Sequence, residues 1–571
     1  MKELELYEIW LKNAVEDSDL IPELSALKGN TAEIKDHFYR ELNFGTAGIR
    51  GVIGAGTNRM NIYTIRKATQ GLAQYLNDNC TNPSVAISYD SRIKSDVFAQ
   101  ETAAVLAGNG ISVHLYKELM PTPCLSFAVR ELGCDSGVMV TASHNPAKYN
   151  GYKAYGPDGC QMTVESADKV MANINNIDVF TGIKRISFDD GVTRGLIKII
   201  PDTVIENYLQ QVLSQAIHPS ASKKANLKVV FTPLNGTGNK PVREILKRIG
   251  INDVSVVFEQ EHPDGNFTTC PFPNPEISEA LDLGLKKSRE IKADLLIATD
   301  PDADRVGIAV PDQKGDYVLI SGNEVGALLL NYICEGRTKN KTMPSNPISV
   351  KTIVTTKLID NICRHYNVEL KSVLTGFKHI GEVIGKLEAK GEESRYIFGF
   401  EESYGYLSGT YVRDKDAVVA SMLLAEMASF YKLQGISVFD ALKLIYDKYG
   451  KTDDICKSFV CEGESGMEKM AEIMSNLRKS PPSTIGGLGV TSFYDYLTDT
   501  KIINGKSVSQ PALPKSDVLA FELGENASVT LRPSGTEPKL KTYYSVTAKN
   551  ELDARALSEK IQQDFTEIIG F

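Results

Sequence analysis

Two short loops carry the residues whose types and spacing could do chemistry. The first is Thr141-Ala-Ser-His-Asn-Pro146. An apolar segment, Val138-Met-Val140, delivers Ser143 onto a tight loop, with His144 and Asn145 beside it and Pro146 ending the strand. A serine at a strand end is presented rather than buried, so it could act as a nucleophile; the bland alternative is a turn serine satisfying a backbone amide. It does not stand in the G-x-S-x-G elbow of the α/β hydrolases. The second loop, Asp300-Pro-Asp-Ala-Asp-Arg305, follows the apolar strand Leu295-Leu-Ile-Ala298 and offers carboxylates at alternate positions. Such a set suits a hard divalent cation. An EF-hand is excluded, because its glycine and glutamate positions hold Arg305 and Pro311. Three like charges within five residues are unfavourable unless a cation neutralises them, and Arg305 alone cannot; the alternative is a solvated acidic turn. A serine oxygen together with a Mg²⁺ cage points to phosphoryl transfer.

Three further loops add groups suited to a phosphorylated sugar. Arg532-Pro-Ser-Gly-Thr536 follows an apolar strand, and Ser534, Gly535 and Thr536 can aim amides and hydroxyls at one anion. Arg532 can grip phosphate with two bonds, and Lys539 and Lys541 add charge. Glu401-Glu402-Ser403 pairs carboxylates with a hydroxyl, a combination that binds sugar hydroxyls, although an exposed acidic loop reads the same way. Phe44-Gly-Thr-Ala-Gly-Ile-Arg50 is glycine-rich and ends in arginine; it reads equally as a phosphate-lining loop or a structural turn. Gly236-Thr-Gly238 lacks the full dinucleotide pattern and reads as structural. Of the seven histidines, only His144 and His379 lie in loops of this kind.

The elements that must position these loops alternate along the chain. Residues 1–40 read as helices, with Leu4, Tyr7, Leu11 and Ala14 at helical spacing. Strands Val85–Tyr89, Ile111–Tyr116 and Gly137–Val140 then enclose helices Asp96–Ala107 and Cys124–Leu132. The rhythm recurs with strands Lys228–Phe231, Val254–Phe258 and Asp294–Ala298, and again with Ile348–Thr355, Leu370–Val373 and Tyr396–Phe398. Each unit ends by delivering a polar loop from a strand: Ser143, Asp300, Glu401. Three echoes of one α/β unit suggest an internal repeat without a strict period. The helices Lys415–Tyr431 and Val438–Tyr449 are expected to close the third unit. From about Thr452 the pattern changes to strands Val529–Leu531 and Thr542–Val546 and a final helix Glu551–Ile568, an α+β domain.

Composition bounds the function classes. At 571 residues the chain exceeds one core. With 42% apolar and 24% charged residues it is an ordinary globular protein. A net charge of −9 and a pI of about 5.5 argue against nucleic acid or an anionic membrane as the main partner. The longest apolar helix is too short to span a bilayer, and Met1-Lys-Glu-Leu-Glu lacks a signal-peptide core. Nine scattered cysteines without a C-x-x-C pair fit free thiols and a cytoplasmic location.

Taken together, the four loops resemble the α-D-phosphohexomutase superfamily, whose signatures occur in the same order: Thr141–Pro146, Asp300–Arg305, Glu401–Ser403 and Arg532–Thr536. The resemblance covers nearly the whole chain. It implies a heart-shaped molecule of three similar mixed-sheet α/β domains and a divergent C-terminal α+β domain. The boundaries expected here are 1–40 (helical extension), 41–200, 201–312, 313–450 and 451–571. By resemblance, Ser143 is the phosphorylated nucleophile, and its phosphate with Asp300, Asp302 and Asp304 holds one Mg²⁺ per chain. Arg305 contacts the transferring phosphoryl, and His144 and Lys153 belong to the catalytic set, Lys153 resembling the general base. Glu401 and Ser403 bind sugar hydroxyls. Arg532, Ser534, Gly535 and Thr536 hold the other phosphate, and Thr46, Arg50, Thr375 and Lys415 match further substrate-binding positions. The implied reaction interconverts glucose 1-phosphate and glucose 6-phosphate, with glucose 1,6-bisphosphate as intermediate and activator, in a monomer or homodimer whose partners are small sugar phosphates. Pro301 departs from the glycine common in the metal loop, and Gly-Phe-Glu-Glu-Ser-Tyr-Gly-Tyr from the usual sugar loop. With Val412-Arg-Asp-Lys-Asp416, these resemble a branch that also contains pentose enzymes, which leaves mannose and pentose phosphates open as substrates. Outside mutases, a Mg²⁺-dependent phosphatase using Asp300-x-Asp302 and a non-catalytic sugar-phosphate sensor remain as rivals.

Overall fold

The computed structural model describes all residues except 1, 46–47, 462, 509–512 and 535–538. Its sheets repeat one arrangement. In the first, β1 (Gly48–Val52), β2 (Ser84–Tyr89), β3 (Ser112–Leu115), β4 (Ser136–Val140), β5 (Tyr149–Tyr155) and β6 (Ile197–Ile199) lie in the order β1-β5-β4-β2-β3-β6. Strands β3, β2 and β4 are parallel, and β5 returns antiparallel to β4. The second has β7 (Lys228–Thr232), β8 (Asp253–Val256), β9 (Leu295–Thr299), β10 (Val306–Pro311) and β11 (Tyr317–Ile320), ordered β11-β10-β9-β7-β8, with β10 antiparallel to β9. In the third, β12 (Ile348–Thr352) pairs in parallel with β13 (Glu369–Val373) and β14 (Tyr396–Glu401). Each sheet thus places its first parallel strand between the second and the third, and the polar loop leaves the third: β4, β9 or β14. This is the repeat read from the sequence.

The reason lies in burial. Every residue of β4, β9, β12 and β14 is buried, as expected for parallel strands covered on both faces. β4, β9 and β14 are followed by polar loops, so the reactive loops gather at carboxyl ends.

A short strand, β15 (Gly405–Leu407), precedes the C-terminal strands: β16 (Lys451–Val460), β17 (Thr484–Ile485), β18 (Leu488–Gly489), β19 (Ser492–Asp495), β20 (Thr500–Ile503), β21 (Lys506–Val508), β22 (Leu519–Glu522), β23 (Ala527–Pro533) and β24 (Lys539–Ala548). Seven of them form an antiparallel sheet, β16-β24-β23-β22-β19-β20-β21. The helices Gly463–Lys479 and Glu551–Ile568 share a core with it built around Leu519, Phe521, Val529, Tyr544 and Phe565.

By internal packing the chain divides into two compact units. One comprises Met1–Ile320, Ile384–Ala389 and Gly405–Gln434; the other comprises Ser321–Val383, Lys390–Tyr404 and Gly435–Phe571. The helix Ala417–Lys432 packs on helices Asp202–Leu213, Pro219–Lys224 and Asn239–Arg248, on β9 and on β15. Nearly all of its residues are buried, so it needed apolar partners all round.

The N-terminal helices also differ in detail. Lys2–Asn13, Leu20–Ala26 and Thr31–Phe38 form as expected. The buried residues of the first, however, are Tyr7 and Trp10, with Ala14 buried just beyond its end, while Leu4 and Leu11 are exposed. Trp10 sits edge-on to Phe38, Tyr63 and Phe180, so this segment packs into the core of the first α/β domain. No helix among the described residues is long and apolar enough to cross a membrane.

Candidate active site

In the first unit, β4 and β9 each end in a tight loop, and the two loops meet. Ser143 is buried with φ 53°, a left-handed conformation that turns its side chain out of the strand direction. Its Oγ donates to Asp300 Oδ2 at 2.9 Å and lies 3.1 Å from His144 Nδ1. Asp300 Oδ1 accepts the amides of Asp304 (3.1 Å) and Arg305 (3.0 Å), which closes the second loop on itself.

The other two carboxylates are held by cations. Asp302 Oδ2 accepts from Lys153 Nζ (2.7 Å) and from Thr122 Oγ1 (2.9 Å), at the first turn of the helix Thr122–Glu131. Asp304 Oδ2 lies 3.2 Å from Lys415 Nζ and 3.5 Å from Lys153 Nζ. Lys153 comes from β5, the antiparallel neighbour of β4. Lys415 stands just before the helix Ala417–Lys432, whose first amide donates to the Ala303 carbonyl. Asp414 accepts from Lys415 Nζ (2.8 Å) and from the Tyr155 hydroxyl (2.9 Å). Arg305 pairs with Glu276 at 2.6 Å, and Arg50, on β1, donates to Asn145 Oδ1 at 3.2 Å.

Electrostatics follow from this packing. Burial and the neighbouring Asp302 and Asp304 push the Asp300 carboxyl well above its usual range. Burial alone would do the same to Asp302, but the Lys153 ammonium outweighs it and holds Asp302 below its ordinary value. The same two carboxylates raise Lys153 against its own burial. Burial, Arg305 and Arg50 push His144 well below the ordinary histidine value, so its ring is neutral near pH 7.

The three aspartates fit a cation. One oxygen from each lies within 4.8 Å of the others, all three residues are buried, and Asp302 Oδ1 and Asp304 Oδ1 have no hydrogen-bond partner. Buried carboxylate oxygens left over by the protein's own donors are what a hard divalent ion requires. Gly236 and Gly238 take the structural role expected of them. A Cβ at Gly236 would fall 2.4 Å from Pro301 Cα, and one at Gly238 would fall 2.4 Å from Thr299 Oγ1. The Thr237 amide and hydroxyl both donate to the Pro301 carbonyl, so this turn buttresses the aspartate loop.

The second unit gathers another set. Glu401 Oε1 accepts the Gly376 amide at 2.7 Å, and Arg532 donates to Thr375 Oγ1. The loop after β13 therefore ties Glu401 to the end of β23. The Arg532 guanidinium lies 5.9 Å from the centre of the Tyr543 ring. Ser534 is half-buried, with its amide bonded to the Lys539 carbonyl, and Ser403 is half-buried beside Glu402. His379 lies in the first turn of the helix Lys378–Glu388. Thr46, Gly535 and Thr536 lie outside the described residues.

Glu402 was not singled out within its loop. Burial and the adjacent Glu401 push it up to about 7, and Thr352 Oγ1 donates to it at 3.2 Å. A carboxyl raised from 4.5 to about 7 costs nothing below pH 4.5. Between these values the unfolded chain loses its proton first, so the penalty grows and is complete above pH 7, at on the order of 3 kcal/mol. Glu402→Gln is therefore expected to raise the melting temperature at pH 8.5 and to leave it unchanged at pH 4. Calorimetry across pH checks this, and an offset independent of pH would refute it.

Sequence reasoning also missed Asp90, Arg92, Thr122, Glu276 and Asp414. Asp90-Ser-Arg92 follows the apolar strand β2, so the pattern that exposed Ser143 and Asp300 was present there as well.

Sequence profiles decide the family. The three described as "Phosphoglucomutase/phosphomannomutase, alpha/beta/alpha domain I", "domain II" and "domain III" match residues 41–180, 206–315 and 321–449 in turn. The chain belongs to the phosphoglucomutase/phosphomannomutase family. Within this α-D-phosphohexomutase superfamily it is 39% identical over 547 residues to the phosphoglucomutase of Staphylococcus aureus strain RF122, covering 95% of this chain and 96% of that protein. Against the phosphoglucomutase of strain MRSA252 it is 39% identical over 543 residues, covering 94% and 95%. Solved structures share the fold at low identity. Parafusin, a phosphoglucomutase from Paramecium in an open form, gives a TM-score of 0.69 at 16% identity, covering 93% of this chain and 95% of that one. A phosphoglucomutase/phosphomannomutase family protein from Burkholderia thailandensis gives 0.66 at 18% identity, covering 92% and 96%. Members of this family are phosphotransferases that act within one sugar phosphate, and the buried aspartate triad of this chain is a group that could hold a divalent cation.

Proposed function

We propose that the chain interconverts α-D-glucose 1-phosphate and glucose 6-phosphate through a phosphorylated Ser143. The observation that carries this reading is the Ser143 hydroxyl, turned out of β4 and bonded to Asp300 beside two aspartates with unpartnered oxygens. Its likeness along nearly the whole chain to staphylococcal phosphoglucomutases supports glucose as the sugar.

Asp300, Asp302 and Asp304, with the phosphate on Ser143, would hold Mg²⁺, which when bound neutralises charge on the phosphoryl oxygens. The chain's own groups do the rest. A sugar hydroxyl attacks phosphorus, the bond from phosphorus to Ser143 Oγ breaks, and a sugar 1,6-bisphosphate results. The departing Oγ gains a proton, balancing the one the sugar hydroxyl loses, and becomes the serine hydroxyl 3.1 Å from the His144 ring. Arg305, held by Glu276, carries the positive charge that meets the transferring group. Lys153 is the group proposed to take the hydroxyl proton. It is an ammonium while Asp302 and Asp304 face it, so it can do this only once those carboxylates are otherwise engaged. Lys415 and Arg50 add positive charge around the phosphate. Glu401 and Ser403 bind sugar hydroxyls, and Thr375, Arg532, Ser534, Gly535 and Thr536, with Thr46, take the substrate's remaining polar groups and its second phosphate. The second transfer returns the other phosphoryl to Ser143.

The domain boundaries that suit this division of labour are 1–40, 41–200, 201–312, 313–450 and 451–571. Nine free thiols, eight of them at least half-buried, accord with a cytoplasmic enzyme.

Glucose 1-phosphate should give a kcat/KM at least about tenfold above ribose 1-phosphate, because a furanose presents its hydroxyls at other angles to Glu401 and Ser403 and leaves polar groups unpaired. Mannose 1-phosphate, differing at C2, should be discriminated more weakly. Each sugar 1-phosphate is assayed with its matching bisphosphate, with sugar 6-phosphate and free phosphate both measured. A ribose value tenfold above glucose would overturn the substrate assignment. Free phosphate as the product would replace the mutase with a phosphatase, and the absence of any product would leave a sensor.

A further inference from the structure

The buried pair Asp90 and Arg92 takes no part in the chemistry described above, yet it grips the Ser143 loop from beneath. The Arg92 side chain is fully buried. Its Nη2 donates to the carbonyls of Ser143 and Asn145, and its Nη1 to those of Pro146 (3.0 Å) and Tyr149 (3.1 Å). The guanidinium lies over the Phe267 ring, 5.0 Å from its centre, and its Nε pairs with Asp90 Oδ2 at 3.3 Å. Asp90 in turn accepts from Thr141 Oγ1 (2.6 Å) and Ser95 Oγ (2.7 Å), and Thr141 Oγ1 accepts the Ser143 amide (2.8 Å).

Both peptide groups of Ser143 are therefore tied to one ion pair: its amide through Thr141 and Asp90, its carbonyl through Arg92. A residue with a side chain stays in the left-handed region only where its surroundings over-determine it. Here they do. A buried charge also demands partners, and both terminal nitrogens of Arg92 find them in the carbonyls of residues 143–149. Lysine, a point charge without a planar fork, could not bind four carbonyls spread over seven residues.

We propose that Asp90 and Arg92 are positioning residues for phosphoryl transfer: they fix the left-handed turn of Ser143 and so aim its Oγ at the aspartate loop. This rests on the reading of Ser143 as the phosphorylated group. Neither residue touches the reacting atoms, so their loss should lower the rate of transfer while leaving substrate and metal binding in place. A misplacement of about 1 Å in a reacting group costs about 10²-fold in rate.

The test compares Arg92→Lys, Thr141→Val and Ser143→Ala in the full chain. Thr141→Val keeps the ion pair and removes only the relay to the Ser143 amide. Three quantities are measured: kcat and KM for glucose 1-phosphate, the rate at which glucose 1,6-bisphosphate phosphorylates the protein, and Mg²⁺ affinity by titration calorimetry. For Arg92→Lys, kcat and the phosphorylation rate should both fall about 10²-fold, with KM and Mg²⁺ affinity within about threefold of wild type. Thr141→Val should show the same split with a smaller loss. Wild-type kcat in Arg92→Lys would overturn the proposal. So would KM and Mg²⁺ affinity worsening as much as kcat, since that is a general loosening of the fold. If Arg92→Lys does not fold, Thr141→Val decides alone. Ser143→Ala separates the two readings: if it is active, the phosphoserine assignment itself has failed, whereas an inactive Ser143→Ala beside a fully active Arg92→Lys refutes only the positioning role.

Discussion

Ser143→Ala should abolish mutase turnover, lowering kcat by about 10⁴-fold or more, the scale seen when a nucleophile is removed. The loss should be chemical rather than structural. Ser143 fills no apolar core space; it sits in a polar loop, with its Oγ directed at Asp300 and His144. Alanine in the same left-handed conformation has no larger steric problem than serine. The lost hydrogen bond to Asp300 should cost about 1 kcal/mol, a shift of a few degrees in melting temperature. Steady-state kinetics and calorimetry on the same preparation check both halves. A stable variant with near wild-type turnover would remove Ser143 from the mechanism.

Removing one charge from the aspartate loop should act nearly as strongly. Asp302→Asn keeps the shape and leaves a neutral oxygen where Lys153 and Thr122 now donate. Divalent-ion affinity depends on the number of charged oxygen ligands, so the concentration of Mg²⁺ giving half-maximal activity should rise at least about tenfold. Exhaustive chelation should inactivate the wild-type protein, and added Mg²⁺ should restore it. Activity that survived chelation, or a Mg²⁺ requirement unchanged in Asp302→Asn, would contradict the assignment of these oxygens to a cation.

How much of this was legible in the sequence follows from where each signal lies. Parallel strands buried on both faces are short apolar runs, and the polar residues ending them stand out, which is why Ser143, Asp300 and Glu401 could be found by pattern. The antiparallel strands β1 and β5 mix glycine and charge with apolar residues and escaped notice, although β1 carries Arg50 and β5 carries Lys153. The helix Ala417–Lys432 is legible as an apolar run, but its full set of neighbours is not, because an element apolar all round gives no face by which to choose them. Leu4 and Leu11 fitted a helical period as well as Tyr7 and Trp10 did, and only packing against Tyr63 and Phe180 decides between the stripes. Asp90 and Arg92 were missed for another reason. Their partners in the Ser143 loop are backbone carbonyls and the Thr141 hydroxyl, 51 or more positions away, and a side chain that recognises backbone leaves no matching residue types to read.

The most direct test of the central claim follows the phosphoryl group itself. The protein is incubated with glucose 1,6-bisphosphate carrying a radioactive phosphate, digested, and the labelled peptide sequenced; a second sample is chased with unlabelled glucose 1-phosphate. We expect the label on Ser143 in an acid-stable ester, and its transfer in the chase to sugar phosphate with little free phosphate released. A label on Asp300 or Asp302 as an acid-labile acyl phosphate, or its release as inorganic phosphate, would contradict the phosphoserine mutase and identify a phosphatase in its place.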